Sequence, residues 1–201
     1  DVPLKPRPYD PAAAEKILRS DGWQKGSDGI YIKNGKPCEV TFWFNSNNTQ
    51  EKAIAEAIQS DLAKVGIRMN IRGEEKQAYL DRQRTGKFDM QYSLSWGAPY
   101  DPQSYFSSWR IPAHGDFQAQ TGLPDKALID REITSLMTEQ SETKRAAMIR
   151  DILTRIHDSA VYVPISYSRT KAVYRTSLSG VGFRVSQYEI PFEDMFFKNA
   201  K

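Results

Sequence analysis

Residues 38–71 read CEVTFWFNSNNTQEKAIAEAIQSDLAKVGIRMNI, and this stretch decides the fold. Between residues 38 and 44 apolar and more polar positions alternate, which is the period of a strand with one buried face. Residues 47–66 then predict a helix, because polar capping residues open the segment and Gly66 suits a left-handed C-terminal stop. The apolar stripe of this helix comprises Ile54, Ala57, Ile58, Leu62 and Val65. Alternation resumes over residues 67–71, so the stretch predicts a strand, a helix and a second strand.

The same succession of strands and helices continues on both sides of this stretch. Upstream, Asp10 as a capping residue and Pro11 at the first helical position predict the start of a helix. Downstream, residues 77–84 have a helical pattern that ends at Gly86, and residues 88–95 read as a third strand. This order predicts an α/β fold with a mixed or parallel sheet flanked by helices.

The second half of the chain has weaker patterns. Repeated Pro and Gly residues over 96–123 predict a loop, and a loop of this length in a compact domain usually serves a function. Further predicted elements are helices over 126–140 and 143–160 and strand-like runs over 161–167 and 172–174. The tail from about residue 177 has little periodicity, so we expect it to cross a surface or to return to a part of the protein outside this chain.

Composition restricts the class of protein. A length of 201 residues suits one domain or one lobe of a larger protein. The 28 basic and 25 acidic residues give a net charge of +3 and are scattered, which argues against nucleic acid as a partner. No run approaches the roughly 18 consecutive apolar residues that a membrane-spanning helix needs. The first residues lack a signal-peptide pattern, so we expect a mature chain or a fragment.

Side chains that bind soft metals are scarce. The sequence contains one cysteine, Cys38, and two histidines, His114 and His157. Structural zinc usually takes four Cys or His ligands, and catalytic zinc takes three protein ligands. A self-sufficient metal site built from these side chains is therefore not expected, and no internal disulfide can form.

The predicted loop opens with Trp96-Gly97-Ala98-Pro99-Tyr100-Asp101-Pro102, directly after a predicted strand. Open α/β sheets place ligand crevices at this point. Trp96 and Tyr100 offer rigid apolar surface with one hydrogen-bonding group each, and Asp101 adds a carboxylate. Alternatively, the aromatic side chains pack into the core and Asp101-Pro102 begins a helix or turn. Spacing alone leaves both interpretations open.

His114 is the best candidate for a metal ligand in this sequence. It lies between Pro112 and Gly115 on the predicted loop, and no apolar stripe explains its position. Neutral imidazole is a common donor to nickel, copper and zinc. The alternative is a solvated surface group, which is the usual state of a loop histidine.

Motifs that would indicate catalysis are absent from the sequence. It contains no G-x-S-x-G, no H-E-x-x-H, no Walker-type glycine loop and no G-x-G-x-x-G after a strand. We therefore expect that the protein is not an enzyme. A hydrolase with an unrecognised site stays an alternative.

Motifs spread along nearly the whole chain carry a resemblance to a known family. A first set comprises Pro8-Tyr9-Asp10-Pro11, Gly22-Trp23, Val40-Thr41-Phe42, residues 57–67 and Phe88-Asp89 ahead of Trp96. This set resembles the C-terminal lobe of extracellular solute-binding proteins of the peptide and nickel class. A second set comprises residues 96–102, Arg110, Pro112, His114, and residues 151–158, 162–167 and 189–193. It is similar to the nickel-binding periplasmic proteins of ABC importers within that class.

The resemblance implies a two-lobed, flytrap-like fold whose lobes close over a solute. Residues 1–201 would be the C-terminal lobe, with the tail from about residue 177 returning toward the missing N-terminal lobe. In the nickel-binding members the metal is bound as a complex with a small organic chelator, and one loop histidine completes the coordination shell. His114 matches that histidine.

The resemblance also assigns two aromatic residues to the walls of the same cleft and a third to the tail near the ligand. Trp96 and Tyr100 match aromatic residues that line the cleft, and Tyr188 lies where the tail of the family approaches the ligand. The arginines that hold the chelator's carboxylates come from the other lobe in this family.

The function implied by the resemblance is that of a periplasmic, or otherwise extracytoplasmic and membrane-associated, solute-binding protein. It would bind nickel(II) as a chelate with a small carboxylate or histidine ligand and deliver it to the permease of an ABC transporter. The isolated lobe would bind the chelate weakly or not at all. The alternative within the class is a di- or oligopeptide-binding protein, in which Asp101 would engage a peptide ammonium group.

Overall fold

The computed structural model describes residues 2–94, 101–167, 169, 171–186 and 189–198. Its helices are α1 (Pro11–Ser20), α2 (Thr49–Lys64), α3 (Lys76–Thr85), α4 (Pro102–Ser108), α5 (Gly115–Gln120), α6 (Lys126–Leu136) and α7 (Glu142–Ser159). Its strands are β1 (Gln24–Lys25), β2 (Tyr31–Lys33), β3 (Lys36–Pro37), β4 (Glu39–Asn45), β5 (Arg68–Glu74), β6 (Met90–Gln91), β7 (Leu178–Ser179) and β8 (Phe196–Phe197). Among the described residues, no helix has the length and apolarity needed to cross a membrane.

The chain divides into two compact units. The first unit contains Asp1–Leu94 and Ser108–Lys126. The second unit contains Ser95–Ser107 and Ala127–Lys201.

The main sheet of the first unit is parallel, with the strand order β5-β4-β6. Val40 pairs with Met69 of β5, and Phe42 pairs with Met90 of β6. The strand, helix and strand predicted from residues 38–71 are confirmed. A small antiparallel meander, β1-β2-β3, precedes them in the chain.

Strand β6 is shorter than the run of residues 88–95 predicted for it. Just before it, the carboxylate of Asp89 accepts a hydrogen bond from the main-chain N–H of Thr41 at 2.8 Å. Because a side chain takes the place of a main-chain partner there, the regular ladder begins only at Met90.

Helix α2 begins and ends at the predicted signals. The Asn48 side chain accepts hydrogen bonds from two N–H groups of the first turn, and Gly66 follows the helix at a φ of +73°. A Cβ at Gly66 would lie 2.6 Å from a main-chain carbonyl oxygen, so a larger residue does not fit. One position in the predicted stripe is wrong: Ala55 is buried, whereas Ala57 is exposed.

Helices cover both faces of this sheet. The core cluster consists of Phe42, Phe44, Ala55 and Met69, with Val40, Ile58, Leu62, Ile71, Met90 and Tyr92 packed against it. Successive side chains of a strand point to opposite faces, so Trp43 lies on the other face, where Arg82 of α3 stacks on its ring. The predicted α/β arrangement is confirmed in the first unit.

Helices α6 and α7 supply five buried apolar residues of the second unit, and Phe106 of α4 is another. The five recur at helical spacing and are Ile129, Ile133, Leu136, Ile152 and Ile156. An ion pair joins the two helices, with Arg155 Nε 3.5 Å from Glu132 Oε2. Both predicted helices are confirmed, although α6 ends at Leu136 rather than near residue 140.

The prediction of an unbroken loop over residues 96–123 is wrong, because the region contains α4 and α5. These helices have seven and six residues, which is too short for an apolar stripe to show in the sequence. Pro102 and Gly115, taken as breakers, are their first residues, and Pro is well tolerated at that position.

The strands predicted over 161–167 and 172–174 are also wrong: the described residues of these runs form no strand. Two short antiparallel strands occur later, where Leu178 of β7 pairs with Phe197 of β8. Arg184 lies within hydrogen-bond distance of Glu193 Oε1, at 2.9 Å, and Asp194 Oδ2, at 3.1 Å. β-Branched and aromatic residues predicted strands here, but a strand also needs a hydrogen-bonding neighbour.

Candidate functional site

His114 lies immediately before α5, in the first unit. Its backbone is extended, with φ −94° and ψ 141°, and His114 as a whole is half-buried. Its N–H donates to Ile111 O at 2.9 Å, and its carbonyl oxygen accepts from Gln118 N at 3.2 Å. Main-chain hydrogen bonds therefore fix the position of His114 from both sides.

A side chain of α5 closes the turn that contains His114. Gln118 Nε2 donates to Pro112 O at 2.6 Å, so the segment from residue 112 to residue 118 is joined at both ends. The imidazole of His114 is therefore carried on a fixed main chain. This favours metal binding, because the loop does not lose conformational entropy when the ligand binds.

A lysine beyond α5 also contacts this segment. Lys126 Nζ donates to Trp109 O at 3.1 Å and lies 4.7 Å from the centroid of the Phe117 ring. Trp109 is buried. The segment that carries His114 is thus anchored by a buried aromatic residue before it and by a lysine after it.

Helix α3, which contacts α5, is fixed to the carboxyl ends of β4 and β5. Arg82 donates two hydrogen bonds to the Glu74 carboxylate, of 2.8 Å from Nε and 2.5 Å from Nη2. Its guanidinium also stacks on Trp43, with Cζ 3.4 Å from the ring centroid. The hydrogen bond from Arg82 lowers the pKa of the Glu74 carboxyl. His114 is therefore tied, through α5 and α3, to the sheet edge at which parallel sheets place ligands.

Asp101 lies in the second unit, directly before α4. Its Oδ1 accepts from Ser104 N at 2.8 Å, and its carbonyl oxygen accepts from Tyr105 N at 3.2 Å. This is the helix-starting arrangement that the sequence left open as an alternative. Its predicted contact with a ligand stays a prediction.

Trp96, Tyr100 and Tyr188 lie outside the described residues. Of the residues predicted for the site, the structure therefore places His114 and Asp101, and each belongs to a different unit. The roles of all five residues in ligand binding stay predictions.

Across the described residues, no group of three or more His, Cys, Asp and Glu side chains is arranged to hold a metal ion. Cys38 is a free thiol at the start of the sheet, where burial raises its pKa. His157 lies in the second unit, with Nδ1 3.1 Å from Asp158 Oδ1.

A groove of about 540 Å³ lies along α2 and β5, and sequence reasoning did not predict it. Its lining consists of Phe44, Lys52, Glu56, Gln59, Asn70, Ile71, Arg72 and Gly73. Neither His114 nor Asp101, the two predicted site residues that the structure describes, lines this groove. No local motif marks it, because its walls come from a helix and a strand that meet only in the fold.

Comparison with known proteins gives consistent results. Residues 1–117 match the family model described as "Bacterial extracellular solute-binding proteins, family 5 Middle". The chain is 44% identical, over 194 residues, to the nickel-binding periplasmic protein of Escherichia coli K12, covering 96% of this chain and 37% of that protein. It is 27% identical, over 178 residues, to di/tripeptide-binding protein 4 of Pseudomonas aeruginosa UCBPP-PA14, covering 86% of this chain and 31% of that protein.

A solved structure is similar over almost the whole chain. It is NikA from Brucella suis in complex with Fe(III)-EDTA, which matches with a TM-score of 0.91 and 43% identity. The match covers 98% of this chain and 40% of that one. The chain thus spans about two fifths or less of the length of these similar proteins.

Proposed function

The chain belongs to family 5 of the bacterial extracellular solute-binding proteins, and from this premise we propose that it is the C-terminal lobe of a periplasmic nickel-binding protein. The family predicted from the sequence is confirmed, and so is the α/β fold class. Members of this family bind solutes, so the proposed activity is binding and delivery rather than catalysis.

The observation that carries the proposal is the 44% identity to the E. coli nickel-binding periplasmic protein over 96% of this chain. Identity to the di/tripeptide-binding protein is 27% over 86% of the chain. The stronger similarity, which extends through the segment containing His114, favours nickel over peptide as the solute.

The donor chemistry of the sequence supports a chelate as the form in which nickel is bound. With two histidines and one cysteine in 201 residues, this lobe supplies few of the soft donors that a bare transition ion needs. His114 would contribute one imidazole, and a small carboxylate or histidine chelator would bring the other donor atoms. The similar structure from Brucella suis was solved with a metal held by an organic chelator, Fe(III)-EDTA.

The proposed protein has two macromolecular contacts. One is the N-terminal lobe, toward which the tail from about residue 177 would return. Apolar side chains that are exposed on this tail support such a contact, and they include Phe183, Val185, Ile190, Phe192, Phe196 and Phe197. The other is the permease of an ABC importer, which would receive the chelate in the periplasm.

Replacing His114 tests the proposal. In the protein expressed from its complete gene, His114→Ala should weaken binding of nickel(II) mixed with L-histidine, as measured by calorimetry. Loss of a direct ligand should cost at least the roughly 10- to 100-fold typical of outer-shell partners. His157→Ala is the matched control, because His157 lies beside Asp158 in the second unit. Unchanged affinity in His114→Ala would remove the proposed role of His114.

A di- or oligopeptide-binding function is the second candidate, and the 27% identity to a di/tripeptide-binding protein favours it. In this case the Asp101 carboxylate would engage the peptide ammonium group. Titration of the same protein with a dipeptide library separates the two functions. Micromolar binding of dipeptides without binding of the nickel–histidine mixture would support the second candidate.

A further inference from the structure

Helices α3 and α5 interlock through two glutamine–glycine pairs. A Cβ built on Gly115 would lie 2.5 Å from Gln83 Cγ, and one built on Gly86 would lie 2.5 Å from Gln118 Oε1. The glycine at the end of α3, Gly86, therefore packs against Gln118 of α5, and the glycine at the start of α5, Gly115, packs against Gln83 of α3. We call these four residues the α3–α5 contact.

The backbone at Gly86 explains one half of this contact. Gly86 ends α3 at a φ of +66°, a left-handed conformation that glycine adopts without steric cost. The absence of a side chain there leaves room for the Gln118 amide. Gln118 fills this room while its Nε2 donates to Pro112 O, so one side chain both packs on α3 and closes the turn around His114.

Helix α3 is a firm support for this contact. Arg82 precedes Gln83 in α3 and is held by Glu74 and Trp43 of the sheet. Its Nη1 donates a hydrogen bond to Lys87 O at 2.9 Å. The last hydrogen bond fixes the chain just beyond Gly86. The turn with His114 therefore rests on a helix end that the sheet itself holds.

We propose that Gln118 is a positioning residue for His114, and that the α3–α5 contact presents the imidazole to the incoming metal chelate in one orientation. This inference rests on the proposed function, because positioning the imidazole matters for binding only if His114 is a ligand of the metal. Ordering the imidazole before binding lowers the conformational cost of coordination. In the absence of the contact, the turn would have to become ordered as the chelate binds.

The first test replaces Gln118 by methionine in the protein expressed from its complete gene. Gln118→Met keeps the length of the side chain and removes the donor to Pro112 O. Affinity for nickel(II) mixed with L-histidine should fall roughly three- to tenfold, the effect of one lost neutral hydrogen bond. Gln77→Met is the matched control, because Gln77 lies at the other end of α3 and its amide donates to an exposed carboxylate, that of Asp81.

A double-mutant cycle separates positioning from a general loss of stability. In a His114→Ala background, Gln118→Met should cause no further loss of affinity, since no imidazole remains to be positioned. In the presence of His114, the same variant should also shift the visible ligand-field absorption of the bound nickel. A purely structural role would lower affinity equally in both backgrounds and leave that absorption unchanged, and either result overturns the proposal.

The second test uses the other pair. Gly115→Ala places a methyl group against Gln83, so affinity should fall by roughly tenfold as the turn shifts. Adding Gln83→Ala removes the obstructing side chain and should return affinity to within about twofold of the original protein. If Gly115→Ala binds as the original protein does, or if Gln83→Ala fails to restore binding, the α3–α5 contact does not position His114.

The two proposals fail in different ways. If His114→Ala loses binding while Gln118→Met and Gly115→Ala retain it, the function stands and the positioning role is overturned. If His114→Ala itself retains full affinity, the role of His114 as a ligand and the positioning role fail together.

Discussion

Strands β4 and β8 both carry phenylalanines, yet these side chains lie in opposite environments. Phe42 and Phe44 of β4 are 4% and 5% exposed, whereas Phe196 and Phe197 of β8 are 61% and 67% exposed. β4 has a strand on each side and α2 across one face. β8 pairs with β7 alone, in a sheet of two strands. The difference shows that apolar side chains are buried in the sheet of the first unit and exposed on the tail of the second, which supports the proposal that another element covers the tail.

The largest effect expected is at the core of the first unit. Phe42→Ala in the 201-residue chain should lower the free energy of unfolding by about 3–5 kcal/mol, because it leaves a cavity in a packed core. Phe196→Ala in the same chain should change it by less than about 0.5 kcal/mol, as for other exposed residues. Urea denaturation followed by circular dichroism measures both. Equal losses at the two positions would contradict the difference in burial between the two strands.

The same two variants should behave differently in the protein expressed from its complete gene. There the missing lobe should cover the tail, so Phe196→Ala should cost more than about 1 kcal/mol. A Phe196→Ala variant that remains neutral in that protein would contradict the proposed return of the tail to the N-terminal lobe.

Glu51 should give the next largest effect. Its buried carboxylate accepts from Asn45 N and from Asn48 Nδ2, each at 2.9 Å, and so joins the end of β4 to the start of α2. Glu51→Ala leaves the Asn45 N–H without its side-chain acceptor and should cost about 1–3 kcal/mol by urea denaturation. In the tail, Glu193→Ala is the counterpart, because its bond to Arg184 is exposed, and it should cost under about 0.5 kcal/mol.

A smaller effect is expected at the cap of α1. Asp10 Oδ1 accepts from Ala13 N at 2.9 Å, so Asp10→Ala should cost about 1 kcal/mol and Asp10→Ser should recover most of it. The thermal midpoint measures both variants. An Asp10→Ser variant as unstable as Asp10→Ala would show that Asp10 acts through its charge rather than as a cap.

The smallest effect is on the pH dependence of the first unit. Because Arg82 lowers the pKa of Glu74 below its ordinary value of 4.5, their interaction stabilises the fold above that pH. This stability is lost as the pH falls through the lowered pKa. Between pH 5 and pH 3, the Arg82→Met variant should therefore lose less stability than the original protein. Urea denaturation midpoints measured at each pH give both losses. If Arg82→Met loses as much stability as the original protein over this pH range, the Arg82–Glu74 interaction is not the cause of the pH dependence.

Local signals predicted the parts of the fold that local interactions determine. Asp10, Asn48, Gly66 and Gly86 lie where the sequence predicted that helices begin or end, because caps and left-handed residues depend on near neighbours in the chain. The strands predicted over residues 161–167 and 172–174 failed for the opposite reason. Their residue types favour a strand, but the described chain supplies no neighbouring strand there.

The candidate site was predictable only in part. The scarcity of Cys and His, and the Pro and Gly residues near His114, made that histidine the candidate metal ligand, and its role stays a prediction. The contacts of Gln83 and Gln118 could not be predicted from the sequence, because each glutamine packs against a glycine 32 residues away in the chain. The stacking of Arg82 on Trp43 likewise exists only once α3 is placed on the sheet.

Calorimetry of the complete gene product with nickel(II), first alone and then with one equivalent of L-histidine, tests most directly whether the metal arrives already coordinated. If the metal arrives as a chelate, nickel(II) alone should give no measurable heat of specific binding, and the mixture should bind saturably, one to one. Tight one-to-one binding of nickel(II) in the absence of any organic ligand would contradict the proposal that the metal arrives as a chelate.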